Sequence, residues 1–199
     1  MKNLIFGLAI VATTLAVGNS TGKSTESMNL SFRYLPISKT DYTNFTSSSV
    51  TEAMSTVSVK EILNAYLQMK NAFTQDNSTG AANAGKILEA AFKNFDKSAL
   101  TATQKKTYED VEADAREHAE HIGANGGNIA HQREHFELLS KDIYDLIKTF
   151  GGGQVLYRDF DPMVNKGKGA YWISETKEIK NPYMGKAMLT SGSIKEEIK

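Results

Sequence analysis

A chain of 199 residues is long enough for one domain with a real core and too short for two full-sized domains. Its 23 Lys and Arg residues balance 23 Asp and Glu residues, and no basic stripe interleaved with aromatic residues occurs, which argues against nucleic acid as a partner. The chain has no cysteine, which excludes disulfides and thiolate ligands and leaves histidine, carboxylate, carbonyl and thioether groups as metal ligands.

The N-terminal residues 1–18 have the pattern of a secretory signal peptide. Lys2 precedes an apolar run from Leu4 to Val17, and Ala16 and Gly18 supply the small residues of a cleavage site. The run is shorter than the roughly 20 residues that span a bilayer, and no second apolar stretch follows it, so we expect no membrane span in the mature chain. Because no cysteine lies near the cleavage point, we expect a periplasmic or secreted protein without a lipid anchor.

The segment that follows, residues 19–56, is dominated by Ser, Thr and Asn. Such a composition buries too little apolar area to offset the entropy lost on ordering, so it predicts a disordered linker. Order is expected to begin at Ser58, which forms a capping-box pattern with Glu61. Helical periodicity then predicts a first helix over residues 59–75.

Three further helices are predicted, over residues 81–95, 102–122 and 129–150. Thr101 and Gln104 form a capping box before the third, and consecutive glycines at 151–153 end the fourth. The predicted core residues are Val59, Ile62, Leu63, Tyr66, Leu67, Met69, Phe73, Ala84, Ile87, Leu88, Ala91, Phe92, Phe95, Tyr108, Val111, Ala115, Ala119, Ile122, Phe136, Leu139, Ile143, Leu146, Ile147 and Phe150. Four amphipathic helices with short connections predict a mainly α fold, a four-helix up-down bundle.

The C-terminal tail, residues 154–199, has a different character. Residues 154–160 and 170–174 are short and β-prone, which predicts extended segments or a small hairpin packed on the bundle. We expect burial of Trp172 and Tyr183 to anchor this tail.

All four histidines fall within residues 118–135, as one pair spaced i,i+3 and one spaced i,i+4. On a helix both spacings place two rings on one face, about 5–6 Å apart at Cβ. The Gly-rich break between the pairs predicts a helical hairpin, and a turn centred near Asn125 places His121 opposite His131, with His118 and His135 further apart. This geometry favours a metal site made by His121 and His131, helped by His135 or a carboxylate. The alternative is a solvated, Glu-rich helix face that binds nothing.

The second histidine pair resembles the H-E-x-x-H helix of zinc proteases, but Gln132 stands where that helix carries its general base. An amide cannot take a proton from metal-bound water, so we expect no hydrolase activity and no enzyme.

Three methionines of the tail, Met163, Met184 and Met188, lie in loop-like contexts rather than on an apolar helix. Thioether sulfur suits Cu(I), and imidazole is compatible with copper in either oxidation state. The alternative is that these flexible side chains fill gaps in packing.

Several short motifs carry a family resemblance. In chain order they are HQREHF at 131–136, DPM at 161–163, GAYWIS at 169–174, IKNPY at 179–183 and MLTSG at 188–192. Together they resemble the exported bacterial family catalogued as domain of unknown function 3347, over about residues 57–198.

The resemblance implies a helical domain that binds or handles copper-like ions and is found attached to periplasmic adaptors of heavy-metal efflux systems. Members of that family usually carry cysteine where this chain has Asp161 and Ser191, so the soft half of the implied site is replaced here. We therefore expect an exported, non-catalytic metal-binding accessory protein that handles copper ion and has a metal-efflux adaptor or another envelope protein as partner. The candidate ligands are His121, His131, His135, Met163, Met188 and Asp161. The alternative is a metal-free interaction domain that binds a protein partner through the bundle surface or the Trp172 and Tyr183 region.

Overall fold

A computed structural model describes the backbone of residues 48–199 and the side chains from Val59 onward. Its long helices are α1 (Ser48–Thr74), α2 (Ser78–Lys93), α3 (Ala102–Ala124) and α4 (Ile129–Phe150). The tail contains β1 (Leu156–Asp161), a single turn α5 (Val164–Gly167), β2 (Ala170–Ser174), a 3-10 turn (Gly185–Ala187) and β3 (Ser193–Ile198). The predicted signal peptide and residues 19–47 of the predicted linker lie outside the described residues. Within the described part of the chain, no helix has the length and apolar character of a membrane span.

Helix α1 begins at Ser48, well before the predicted start at Val59. The stretch from Ser48 to Ser58 contains neither Pro nor Gly, so nothing in its sequence ends a helix. Ser58 is therefore an interior position rather than a cap, and residues 48–56 of the predicted linker are helical.

The other predicted helix ends agree more closely with the structure. The capping box of α3 is confirmed, since the amide of Gln104 donates to Thr101 Oγ1 at 3.3 Å and the amide of Thr101 donates to Gln104 Oε1 at 3.0 Å. Helix α4 ends at Phe150, and Gly151 adopts a φ of 78° that side-chain-bearing residues rarely occupy.

The predicted core is confirmed at most positions. The exceptions are Ala91 and Phe150, which are only partly buried, and Ile87, which is 51% exposed. The buried face of α2 contains Ala81, Ala82, Ala84, Gly85, Leu88 and Phe92, and Ile87 lies outside it. The buried face is therefore rotated relative to the predicted one, toward Ala82 and Gly85 and away from Ile87.

The four long helices pack around one core. Helix α2 contacts α1 and α3, α3 contacts α4, and α1 also contacts α4. The protein is thus mainly helical with a small C-terminal sheet, while the up-and-down order of the helices remains a prediction.

The tail forms an antiparallel sheet with strand order β2-β1-β3. Strand β2 packs on α4, and its outer edge is held by α1, because the amide of Ile173 donates to Tyr66 Oη at 3.1 Å. Trp172 is fully buried and Tyr183 is 9% exposed, with their rings 6.0 Å apart. The prediction that these two aromatic side chains anchor the tail is confirmed.

Close approach of α2 and α3 depends on Gly85. A Cβ at this position would lie 2.8 Å from the carbonyl oxygen of Ala119 and 2.9 Å from the amide nitrogen of Gly123. We expect Gly85→Ala to destabilise the fold by about 1–3 kcal/mol, because the backbones must separate. Chemical denaturation measures this, with the exposed Asn83→Ala as control; an equal or greater stability of Gly85→Ala would show that the contact is not tight.

Candidate metal centre

Three imidazoles meet where α3 and α4 leave their connecting turn. His121 lies near the end of α3, and His131 and His135 lie in the first two turns of α4. One ligand atom from each of them lies within 4.8 Å of the other two, and residues 59–199 contain no other such group of histidine or carboxylate ligands.

Asparagine caps hold the turn between the two helices. Asn125 Nδ2 donates to the carbonyl of His121 at 2.8 Å, and the amide of His131 donates to Asn128 Oδ1 at 3.2 Å. Gly127 has a φ of 109°, which glycine accommodates without strain. The two hydrogen bonds to the caps act on the backbone of His121 and His131 themselves, so the turn fixes the relative position of the two residues.

Hydrogen bonds of Gln132 and Arg133, on the faces of α4 that do not carry the histidines, fix the rotation of this helix about its axis. Gln132 is fully buried, and its Nε2 donates to the carbonyls of Ser78 and Ile122 at 3.1 and 2.9 Å. Arg133 donates from Nε to the carbonyl oxygen of Pro182 at 2.7 Å and from Nη2 to Asp76 Oδ1 at 2.7 Å. With these two side chains held by the core and the tail, His131 and His135 project toward α3.

The rings form a chain of contacts across the two helices. The His121 and His135 rings are stacked with centroids 4.4 Å apart, and the His131 ring meets His135 edge-on at 4.6 Å. His118 Nδ1 lies 3.2 Å from His135 Nδ1. The expectation that His118 and His135 lie apart is therefore wrong, because α3 and α4 cross in a way that brings His135 between His118 and His121.

The electrostatic surroundings favour a cation. Glu117 Oε1 lies 3.8 Å from His121 Nε2, and Glu134 Oε2 lies 3.4 Å from His131 Nδ1. Burial lowers the pKa of His118 and of His135 below the usual histidine value, and the neighbouring histidines lower that of His135 further. Neutral imidazole is the form that binds metal, so proton competition at these two rings is reduced.

A further acidic residue, Asp142, lies about two turns beyond His135 on α4. Burial, together with the nearby charges of Asp114 and Asp145, raises the pKa of the Asp142 carboxyl to about 7. Near neutral pH the Asp142 carboxyl is therefore only partly ionised.

Binding of one metal ion by all three rings requires them to reorient, because the stacked His121 and His135 rings lie 13° from parallel and their in-plane lone pairs do not meet at one point. Ligand atoms of a tetrahedral site with bonds of about 2.0–2.1 Å lie about 3.3 Å apart. Closing from at most 4.8 Å to that separation requires rotation of imidazoles, and the His121 and His131 side chains are 45% and 36% exposed. Three neutral nitrogen donors suit Zn²⁺, Cu²⁺ and Ni²⁺.

The other predicted ligands lie in the tail. Asp161 is fully buried and accepts hydrogen bonds from the amide of Met163 at 2.8 Å, Asn181 Nδ2 at 2.7 Å and Ser191 Oγ at 2.8 Å. It is not part of the histidine group. Asp161 and Ser191 are therefore in direct contact with each other. Met163 and Met188 are 58% and 43% exposed, and their part in metal binding remains a prediction.

Sequence reasoning misses two features of the site. Spacing along the helices separates His118 from His135, and only the crossing of the two helices reveals their contact. Gln132 occupies the position of a catalytic base in the sequence motif, yet its side chain points into the core. The one available signal is a polar residue on an apolar helix face, since Gln132 shares its buried face with Phe136 and Leu139.

Residues 62–154 match the model of a family described as a protein of unknown function, DUF3347. The matched segment covers part of α1 and all of α2, α3 and α4, including the four histidines, and it supports the family resemblance there. The tail motifs lie beyond the match. No curated protein and no solved structure matches the chain significantly.

Proposed function

We propose that this protein is an exported, non-catalytic metal-binding accessory protein that handles copper through His121, His131 and His135. The observation that carries the proposal is the convergence of three imidazole ligand atoms within 4.8 Å on a turn held by its own caps.

Copper is the metal that the donor set favours. For nitrogen ligands the affinity of divalent ions rises toward Cu²⁺ and falls again at Zn²⁺. The exposed thioethers of Met163 and Met188 would serve the softer Cu(I). Asp161 would have to give up three hydrogen bonds to become a ligand.

The surroundings of the histidines support a binding role rather than catalysis in this proposal. The residue that corresponds to a protease's general base, Gln132, donates its hydrogen bonds into the core. Glu117 and Glu134 are the carboxylates beside the rings, with side chains 67% and 78% exposed, and an accessible site of this kind suits uptake and release of an ion.

The location and the partner in this proposal rest on the sequence. The signal-like residues 1–18 support export, and the resemblance to efflux-associated relatives supports a metal-efflux adaptor or another envelope protein as the partner.

Competition titration with Cu²⁺ and Zn²⁺ against a chelator tests the proposal. We expect the double variant His131→Ala, His135→Ala to bind Cu²⁺ at least about 100-fold more weakly, because two of three ligands are lost and even loss of a supporting residue costs about 10–100-fold.

The matched control is Lys141→Ala, Asp145→Ala, which changes two exposed residues of the same helix and should leave the affinity unchanged. If the wild-type protein binds no more tightly than the histidine double variant, the metal function is wrong and the alternative, a metal-free interaction domain, is favoured.

A further inference from the structure

His118 lies outside the three-imidazole group but touches one of its members. Its Nδ1 is 3.2 Å from His135 Nδ1, whereas none of its nitrogens joins a group of three within 4.8 Å. A fourth ligand would have to approach the other donors, so the geometry gives His118 a different task from that of His121 and His131.

Two neutral imidazole nitrogens at hydrogen-bond distance hold one proton between them, so one ring donates and the other accepts. A histidine that binds metal through one nitrogen usually donates its other N–H to an acceptor, which fixes the tautomer and the ring orientation. If His135 donates from Nδ1, its Nε2 keeps a free lone pair for the ion.

We infer that His118 is a positioning residue that accepts a hydrogen bond from Nδ1–H of His135 and thereby presents Nε2 of His135 to the metal. This inference rests on the proposed function, because it assigns a role within the same site. The ring of His118 is itself held at the α3–α4 interface, where it is partly buried.

Substitution of His118 by Phe or Gln tests the inference. His118→Phe keeps a ring but removes the acceptor, and we expect Cu²⁺ affinity to fall about 10–100-fold, the range for loss of a residue that orients a ligand. His118→Gln offers an amide oxygen as acceptor and should recover part of the loss. Thermal unfolding of the metal-free variants should match that of the wild-type protein.

Spectroscopy separates positioning from ligation. Pulsed electron paramagnetic resonance of the Cu²⁺ complex should count three imidazoles in both the wild-type protein and His118→Phe. In the Zn²⁺-loaded protein, long-range ¹H–¹⁵N spectra should show His135 protonated at Nδ1 and bound through Nε2.

Three results would overturn the inference: a fourth imidazole that disappears in His118→Phe, zinc bound at Nδ1 of His135, or an unchanged affinity of His118→Phe. Each of these leaves the three-histidine site in place. Wild-type affinity equal to that of His131→Ala, His135→Ala would instead overturn the site and, with it, the role of His118.

Discussion

Gln132→Glu should destabilise the protein by about 3–5 kcal/mol near neutral pH, although it restores the H-E-x-x-H sequence. The Gln132 side chain is fully buried, and its Nε2 donates to the carbonyl oxygens of Ser78 and Ile122. A carboxylate there would face two carbonyl oxygens without a counter-ion, and an uncompensated buried charge costs several kcal/mol. Urea denaturation at about pH 8 measures the loss.

Gln132→Met is the matched control, since it removes both hydrogen bonds without adding charge. We expect it to cost about 1–3 kcal/mol, the range for polar groups left unsatisfied. The penalty of Gln132→Glu should shrink at acidic pH, where a protonated carboxyl can donate again. A Glu variant as stable as the wild-type protein at about pH 8 would mean that residue 132 reaches solvent and is available to the histidines.

Asp159→Asn should stabilise the protein by up to about 3 kcal/mol at about pH 8 and leave its stability nearly unchanged at about pH 3.5. Asp159 is fully buried, and neither of its carboxylate oxygens has a hydrogen-bond partner among the described residues. Burial raises the pKa of Asp159 from 3.8 to about 6, although the charge of Lys70 acts in the opposite direction. Each unit of difference between the folded and unfolded pKa corresponds to about 1.36 kcal/mol of stability. The rise from 3.8 to about 6 therefore gives the expected maximum of about 3 kcal/mol.

The direction of the pH dependence follows from proton linkage. Below a pH of about 3.8 Asp159 is protonated in the folded and unfolded states alike, so it costs nothing. As the pH rises toward about 6 the unfolded chain releases the proton while the folded protein retains it, and stability falls; above that pH the cost is complete.

Thermal unfolding across this pH range, with the exposed Glu120→Gln as control, checks the prediction. A loss of stability in Asp159→Asn at about pH 8 would show that the ionised carboxylate is stabilised by Lys70.

The helical part of the fold was predictable because its information is local. Periodicity identifies Val59, Tyr66 and Phe136 as core residues, and all three are buried. The predicted start of α1 was wrong because Ser58 with Glu61 resembles a cap, whereas the preceding residues contain no Pro or Gly to end a helix and α1 continues through them. The prediction that Ile87 is buried was wrong for a different reason, since the neighbouring helices decide which face of α2 is covered.

The tail was predictable only in outline. Short β-prone segments indicate strands, and burial of Trp172 and Tyr183 anchors them as expected. The strand order β2-β1-β3 was not predictable, because pairing of β1 with β3 joins residues that are distant in the chain. Lys70 and Glu175 are separated even further along the chain, by 105 residues, and their 2.7 Å ion pair links α1 to the tail.

Residue type and spacing are enough to establish that four histidines flank one turn, that Gln132 stands where the H-E-x-x-H helix carries its general base, and that the chain contains no cysteine thiolate. These properties need no knowledge of packing. Which histidines meet depends on tertiary structure, because the crossing of α3 and α4 places His135 against both His121 and His118. The inward orientation of Gln132 and the satisfied carboxylate of Asp161 depend on it too, since both require hydrogen bonds between distant segments of the chain.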